Sequence, residues 1–174
     1  MLKLFYPSYY AESVFTIDYE KLKSLGFKGI IFDIDNTLVP HGEPSTKEVD
    51  ELMNKIQKLG IKILFLSDNG VKRIEEFNTN IGAPYIDNAN KPHKENYLKA
   101  VKMLGFDKSE IIVIGDQVFT DILGANFSKL KSILVKYIGF YDKGAKGKRR
   151  DTEALILKRY QKSKYYNILG DMER

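Results

Sequence analysis

The sequence predicts an α/β fold in which helices cover both faces of a parallel β-sheet. Short apolar runs of strand length alternate along the chain with helical patterns. The strand candidates are continuous apolar runs, without the in-out alternation of a sheet that has one face in water. With 174 residues, of which 43% are hydrophobic and 29% charged, we expect one domain over residues 1–174.

Five apolar stretches predict the strands, and each is bounded by glycine or by polar and charged residues. They cover residues 29–32, 61–66, 83–87, 110–115 and 131–138. Between them, apolar residues three and four positions apart predict helices over residues 49–59, 71–81, 97–104 and 120–127. Gly60 and Gly105 follow two of these helices, as expected of residues that end a helix.

The two ends of the chain differ in character from this central pattern. The first thirty residues are rich in Phe and Tyr, and we expect an extra segment packed against the core. Residues 142–151, "DKGAKGKRRD", predict a mobile loop before a C-terminal helix, together covering about 142–174. Residues 143–164 hold nine Lys or Arg against two acids, although the whole chain carries only +5. The net positive charge of the chain therefore comes from this segment. We expect its basic side chains to form a solvated face.

Several classes of protein are excluded or disfavoured by composition. The chain contains no Cys, so it has no disulfide, zinc–thiolate site or thiol nucleophile. No stretch approaches eighteen apolar residues and the start lacks the apolar region of a signal peptide, so we expect a soluble cytoplasmic protein. The P-loop motif is missing, which disfavours that class of NTPase.

Polar residues follow four of the predicted strands. Asp33 and Asp35 follow the first, and Ser67 with Asn69, Lys91, and Asp116 with Asp121 follow later ones. The carboxyl ends of parallel strands converge on one crevice, where ligands bind. Successive groups are 34, 24 and 25 residues apart, about one helix and one strand each. We therefore expect all four groups at one rim of the sheet.

The chemistry of this set favours a phosphoryl group and a metal ion. Crowded carboxylates repel one another unless a cation neutralises them. Oxygen ligands without Cys or clustered His suit Mg²⁺ better than zinc. A lysine and a hydroxyl beside the metal would complement phosphate oxygens, and an aspartate can form an aspartyl-phosphate. Taken singly, each group has a structural alternative: a turn after Asp35, a helix cap at Ser67, a solvated Lys91 or a first-turn acid at Asp121.

Four ordered segments resemble a known superfamily. "DIDNTL", "LSDN", "NKP" and "GDQVFTD", over residues 33–121, resemble the four motifs of haloacid dehalogenase (HAD) phosphatases. The opening "LKLFYPSYYAESVF" and "GDQVFTDILGAN" resemble the subclass IIIA phosphatases of the YqeG type, which extends the likeness to about residues 1–136. The resemblance implies a three-layer α/β/α, Rossmann-like core. Neither gap between the first three motifs has room for a cap domain.

The resemblance also implies a role for each residue. Asp33 would be the nucleophile and a Mg²⁺ ligand, and Asp35 the general acid and then base, whose backbone carbonyl also binds the metal. Ser67 would bind the phosphate, and Lys91 would offset its charge. Asp116 would complete the metal site. Asp121 would support the metal site or Lys91 without contacting the substrate. The Asn36 amide and Asn69 are candidate phosphate or substrate contacts.

The implied function is Mg²⁺-dependent hydrolysis of a phosphomonoester through an aspartyl-phosphate. An open site suits a phosphate on a large substrate or a lipid headgroup. YqeG-like proteins are similar to mitochondrial and plastid phosphatidylglycerophosphate phosphatases, so that lipid is the implied substrate. Residues 143–164 would then contact anionic lipid peripherally, at the inner face of the membrane.

Three other functions compete with this hypothesis. A phosphatase of soluble metabolites would use the same residues on another substrate. A non-catalytic phospho-aspartate switch also gathers acids, a hydroxyl and a lysine, but its phosphorylated aspartate ends a middle strand, whereas the corresponding strand here ends in Ser67. A nucleic-acid partner is disfavoured because the basic residues lie in one stretch without a nucleic-acid motif.

Overall fold

One parallel sheet organises the structure, a computed structural model that describes residues 2–138 and 145–168. Its strands are β1 (Tyr9–Ala11), β2 (Gly29–Phe32), β3 (Lys62–Leu66), β4 (Tyr85–Ile86), β5 (Ile111–Gly115) and β6 (Lys131–Val135). The spatial order is β1-β6-β5-β2-β3-β4, and every neighbouring pair is parallel. The five predicted strands are confirmed as β2 to β6.

The helices connect these strands. They are α1 (Tyr19–Ser24), α2 (Lys47–Lys58), α3 (Val71–Asn78), α4 (Lys94–Leu104), α5 (Leu123–Phe127) and α6 (Ala145–Gln161), with a π-helical turn at Val118–Ile122 leading into α5. Short 3₁₀ turns lie at Leu2–Phe5, Val14–Thr16 and Lys108–Glu110. Gly105, at φ +76°, ends α4 in the left-handed conformation that glycine adopts without strain. The predicted helices are confirmed, although α3 ends three residues earlier than predicted.

The core has two layers because successive residues of β2 point to opposite faces of the sheet. On one face, Phe32 packs in a buried cluster with residues of α2 and α3, including Ile56 and Phe77. On the other, Ile31 packs with residues of α4, including Tyr97. Burial of each large apolar side chain contributes about 1.5–3 kcal/mol. The three-layer α/β/α architecture is therefore confirmed.

The aromatic N-terminal segment packs against the core, as predicted, and contributes an edge strand that the sequence did not reveal. Strand β1 pairs with β6, with Tyr9 opposite Ile133. The rings of Phe5 and Phe119 meet edge to face, with 5.5 Å between their centroids. Phe15 is an exception, because 52% of it is exposed.

The C-terminal basic segment forms a helix earlier than predicted. Helix α6 begins at Ala145, so the predicted loop is wrong for residues 145–151, whereas residues 142–144 lie outside the described part of the chain. The helix is anchored by buried Ile156 and Tyr160 and by Glu153, whose carboxylate accepts a hydrogen bond from the Phe119 N–H at 3.2 Å. These contacts outweigh the low helix propensity of its first turns. Among the described residues, every helix is too short or too polar to cross a bilayer.

Short connections leave the carboxyl edge of the sheet open. Residues 33–61 carry α2, and residues 67–93 carry α3 and β4, so neither connection holds an inserted domain. Within residues 2–138 and 145–168, the residues that follow β2, β3 and β5 are therefore covered by loops and by α6 and by no inserted domain.

Candidate active site

The three central strands place polar residues side by side at one edge. Asp33 directly follows β2, Ser67 follows β3 and Asp116 follows β5, and these strands are neighbours. Lys91 lies five residues after β4 and reaches back to the same edge. A cavity of about 980 Å³ opens there. Its lining includes six of the sequence-predicted residues: Asp33, Asp35, Asn36, Ser67, Asn69 and Lys91.

Asp33 is held by contacts to both of its carboxylate oxygens. Oδ1 lies 2.6 Å from Lys91 Nζ, and Oδ2 lies 2.9 Å from the hydroxyl of Thr37. Its backbone N–H donates to the Ile114 carbonyl at 2.9 Å, which continues the β2–β5 ladder into the site. Burial raises the pKa of Asp33 to about 6, with the nearby Asp121 acting in the same sense and Lys91 opposing them.

Lys91 joins two of the acids. Its Nζ lies 2.6 Å from Asp33 and 2.8 Å from Asp121, and only 5% of its side chain is exposed. Burial alone would lower the pKa of Lys91, but the charges of Asp121 and Asp33 raise it well above its ordinary value. The amine therefore stays protonated and carries a fixed positive charge into the site.

Three buried carboxylates form a group that could hold a cation. One oxygen each of Asp33, Asp116 and Asp121 lies within 4.8 Å of the others. Asp121 is fixed by Lys91 and by the Gln117 N–H at 3.0 Å, and it occupies space that a Cβ on Gly115 would fill. An all-oxygen, buried and acidic donor set fits a hard divalent ion such as Mg²⁺. Asp121 thus lies within the cluster, whereas the sequence predicted only a supporting role.

Asp116 has a partner on each oxygen. The Arg150 guanidinium donates to Oδ2 at 2.5 Å and to the Asp116 backbone carbonyl at 3.1 Å. The Thr37 hydroxyl lies 3.1 Å from Oδ1 and so bridges Asp116 and Asp33. Burial raises the pKa of Asp116 to about 8, reinforced by Asp33 and Asp121 and opposed by Arg150.

Asp35 faces a different set of partners. Its Oδ1 accepts from Arg73 at 2.8 Å and from the Gly42 N–H at 3.1 Å, and its Oδ2 accepts from the Asn69 side chain. Burial raises the pKa of Asp35, but the Gly42 N–H and the Arg73 guanidinium outweigh it and hold the pKa below its ordinary value. Its carboxylate is therefore ionised at neutral pH and lies outside the three-acid cluster.

The comparisons with known proteins agree with this geometry. A family model described as HAD-hydrolase-like matches residues 88–161. The chain is 36% identical over 156 residues to the Bacillus subtilis (strain 168) protein named "Probable phosphatase YqeG". The aligned region covers 89% of this chain and 91% of that protein.

The chain belongs to the YqeG-like phosphatase family of the HAD superfamily.

Two further similarities are more distant. The Arabidopsis thaliana protein named phosphatidylglycerophosphate phosphatase 1, chloroplastic/mitochondrial, is 29% identical over 133 residues, which are 69% of this chain and 37% of that protein. A crystal structure of an uncharacterised protein from Listeria monocytogenes serotype 4b matches with a TM-score of 0.53 and 20% identity, covering 79% of this chain and all of that one. At that identity the likeness supports the fold alone.

In this YqeG-like chain, the polar side chains after β2 and β3 form the cavity wall. Ser67 Oγ is buried and lies 2.9 Å from the Asn69 side-chain nitrogen, which also contacts Asp35. Asn36 adopts φ +65° in a tight turn, where its N–H donates to the Val39 carbonyl at 2.6 Å. The Asn36 main-chain N–H is thus already engaged, and its side-chain NH₂ is the group left to reach a substrate.

Sequence reasoning did not identify three other site residues of this family member. Thr37 had a weak signal, because its spacing of four from Asp33 lets a turn return it to the same edge. Arg73 and Arg150 had none, since each is a helix residue whose partner is distant in sequence. His41 also lies at the site: 65% of its side chain is exposed, and its Nδ1 lies 3.5 Å from Asp35.

Proposed function

We propose that the protein is a Mg²⁺-dependent phosphomonoester hydrolase that works through an aspartyl-phosphate on Asp33. One observation carries the proposal. The Asp33 carboxylate lines an open cavity while a buried lysine and a neighbouring hydroxyl hold both of its oxygens in place. A nucleophile needs such orientation because catalysis depends on a near-attack position of the reacting atoms.

In the first half-reaction, a carboxylate oxygen of Asp33 attacks the phosphorus atom and the bond from phosphorus to the leaving oxygen breaks. Asp35 supplies the proton that the leaving oxygen takes up. Because its partners keep Asp35 ionised, it must first gain a proton, and the negative charge of an arriving phosphate favours that gain. Ser67, Asn69 and the Asn36 side chain line the cavity and supply donors for the phosphate oxygens.

In the second half-reaction, water attacks the same phosphorus atom and Asp35, now ionised again, takes a proton from it. The bond from phosphorus to Asp33 breaks, which releases inorganic phosphate and restores the carboxylate. The Arg73 and Gly42 contacts support this step, because they stabilise the ionised form that accepts the proton. The proton taken from water then remains on Asp35, which either donates it in the next cycle or releases it to solvent and so returns to its ionised resting form.

The metal would be held by Asp33, Asp116 and Asp121, with the Asp35 backbone carbonyl as the further ligand that the family resemblance implies. When bound, Mg²⁺ would offset the negative charge of the phosphoryl oxygens. Lys91 contributes a second fixed positive charge beside Asp33 and remains in place through the cycle, because Asp121 also holds it.

Phosphatidylglycerophosphate is the substrate that we propose. The Arabidopsis relative is named for that lipid, and an open cavity of about 980 Å³ leaves room for a headgroup. Such an enzyme would work in the cytoplasm at the inner face of the membrane, with residues 143–164 near anionic lipid. A soluble phosphorylated metabolite is the alternative substrate. A phospho-aspartate switch would share the chemistry of Asp33 without turnover.

The test is phosphate release with and without Mg²⁺ from phosphatidylglycerophosphate in micelles and from soluble sugar and nucleotide monophosphates. We expect turnover that requires the metal and falls by about 10⁴-fold or more in Asp33→Asn. Full turnover in that variant would remove the nucleophile from the proposal. A phosphorylated Asp33 that persists for minutes would favour the switch, and a preference for a sugar phosphate would favour the soluble alternative.

A further inference from the structure

Helix α6 brings part of the basic segment to the cavity. Arg149, Arg150 and Glu153 line it together with Asp33 and Asp35. Residues 149 and 33 are far apart in the sequence, so the basic character of the C-terminal segment and the candidate nucleophile meet only in the folded chain. The three α6 residues nevertheless differ in whether their charged groups form ion pairs.

Two of the three Lys and Arg side chains in the described lining are already paired. Lys91 is held between Asp33 and Asp121. Arg150 pairs with Asp116 at 2.5 Å and with Glu153 at 3.1 Å. These charges balance buried acids, so neither is free to bind an additional anion without giving up a partner.

Arg149 is different. It is exposed, and its guanidinium lies over the Phe119 ring with 5.4 Å between the guanidinium carbon and the ring centroid. Within the part of the chain that the structure describes, it forms no ion pair. The ring orients a planar cation while leaving the N–H groups at its edge free for a ligand.

We propose that Arg149 binds a second anionic group of the substrate, next to the phosphomonoester that reacts at Asp33. The inference rests on the proposed function and narrows its substrate class to molecules with two anionic groups. A guanidinium fork matches the oxygens of a phosphate diester or carboxylate with two parallel hydrogen bonds. A cavity of about 980 Å³ is also at the upper end for small-molecule sites, so it has room beyond one phosphoryl group.

Two sources could supply this chemistry, a lipid headgroup or a water-soluble bisphosphorylated compound. Three probes are therefore compared. The first is glycerol 3-phosphate, and the second is the soluble compound in which the glycerol of that monoester is joined by a phosphodiester to a second glycerol. The third is the second probe with acyl chains on its second glycerol, presented in micelles. Comparison of the first two probes measures the effect of the second anionic group. Comparison of the second and third probes measures the effect of the lipid surface.

The experiment compares kcat/KM for these probes in the parent protein, in Arg149→Ala and in Arg159→Ala. Arg159 is a matched control, because it is an exposed α6 arginine that does not line the cavity. We expect the parent to prefer the soluble diester-containing probe to glycerol 3-phosphate by about tenfold, mainly through KM, which corresponds to about 1.4 kcal/mol. Arg149→Ala should collapse this ratio towards one, and Arg159→Ala should retain it.

Binding is measured separately so that the inference does not depend on turnover. In the Asp33→Asn background, titration calorimetry with the diester-containing probe should show an affinity about tenfold weaker when Arg149 is also replaced. An unchanged affinity and an unchanged substrate ratio would overturn the inference while leaving the phosphatase proposal intact. Absence of turnover with every probe, together with Arg149-dependent binding, would instead overturn the proposed function and support an anion site. A preference that appears only in micelles and disappears equally in both arginine variants would assign it to the lipid surface and overturn the role of Arg149.

Discussion

The guanidinium of Arg150 lies 2.5 Å from a carboxylate oxygen of Asp116. This pair joins the basic C-terminal helix to the most buried acid of the site, whose carboxylate has no exposed surface. The other oxygen of Asp116 faces Thr37. A metal ion that used Asp116 as a ligand would therefore share an oxygen with Arg150 or Thr37, and we expect it to compete with Arg150 because both are positively charged. Arg150 balances the charge of Asp116 in the protein without metal.

Replacement of Arg150 by Gln tests this competition. Without metal, the variant should lose about 1–3 kcal/mol of unfolding free energy, because a buried carboxylate loses a charged partner. With Mg²⁺, the stabilisation should exceed that of the parent protein, because the ion no longer displaces a guanidinium. Thermal unfolding with and without millimolar Mg²⁺ measures both effects.

Arg159→Gln is the matched control for Arg150→Gln, since Arg159 is an exposed arginine on the same helix. It should change neither the stability without metal nor the response to Mg²⁺ beyond about 0.5 kcal/mol. If Arg150→Gln weakened the stabilisation by Mg²⁺, Arg150 would assist metal binding, and the prediction that it competes with the metal ion would be wrong.

Lys91 should be essential for stability as well as for activity. Lys91→Met keeps most of the side-chain volume but leaves Asp33 and Asp121 without their shared partner. Removing one member of a buried ion pair costs about 3–5 kcal/mol, so chemical denaturation should show a loss in that range. Lys62→Met, at a lysine exposed at the start of β3, is the control and should cost far less. Equal losses in the two variants would mean that the Lys91 contacts contribute little.

Arg73 should affect the reaction more than the fold. Its guanidinium bridges Asp35 Oδ1, at 2.8 Å, and the Glu43 carbonyl, at 2.7 Å, and so links α3 to the loop that follows Asp35. We expect Arg73→Gln to lower kcat by about 10²-fold through misplacement of Asp35, the proposed acid–base residue. Arg73→Lys keeps the charge but shortens the side chain and replaces the planar guanidinium by an ammonium group, and it should recover only part of that rate. A change in KM alone would contradict a role that acts through Asp35.

The strands and the order of the candidate site residues could be predicted because both depend on short, contiguous stretches of the sequence. Runs such as Ile30–Phe32 and Ile111–Ile114 are apolar throughout, and the polar residues follow them directly. Since parallel strands end at one edge, local patterns were enough to predict that Asp33, Ser67 and Asp116 meet. Strand β1 escaped prediction because three residues, Tyr9–Ala11, are too short for a periodic signal.

The partners of these residues could not be predicted, because they depend on contacts between distant elements. From the sequence, Arg73 is expected to be a helix residue and Arg150 part of a basic mobile loop. Only the packing of α3 and α6 places them beside Asp35 and Asp116. The start of α6 was misassigned for the same reason. Its glycine and lysine composition favours a loop, but tertiary contacts through Arg150 and Glu153 favour a helix.

The crowded acids should make the metal-free protein less stable as pH rises. Burial raises the pKa of Asp33 to about 6 and that of Asp116 to about 8, whereas an unfolded Asp titrates near 3.9. Between about pH 4 and 8 the folded state therefore binds more protons than the unfolded state, and linkage requires the unfolding free energy to fall across this window. We expect a loss of at least about 1 kcal/mol between pH 5.5 and 8.5.

Denaturant unfolding at these two pH values, with chelator or with Mg²⁺, measures this effect. Mg²⁺ should reduce or reverse the loss, because the ion stabilises the ionised carboxylates that the proton otherwise neutralises. Asp116→Asn removes the acid with the larger upward shift, and it should flatten the pH dependence without metal. A metal-free stability that rose with pH over the same window would show that Lys91 and Arg150 already compensate the cluster, and that the acids do not require a further cation.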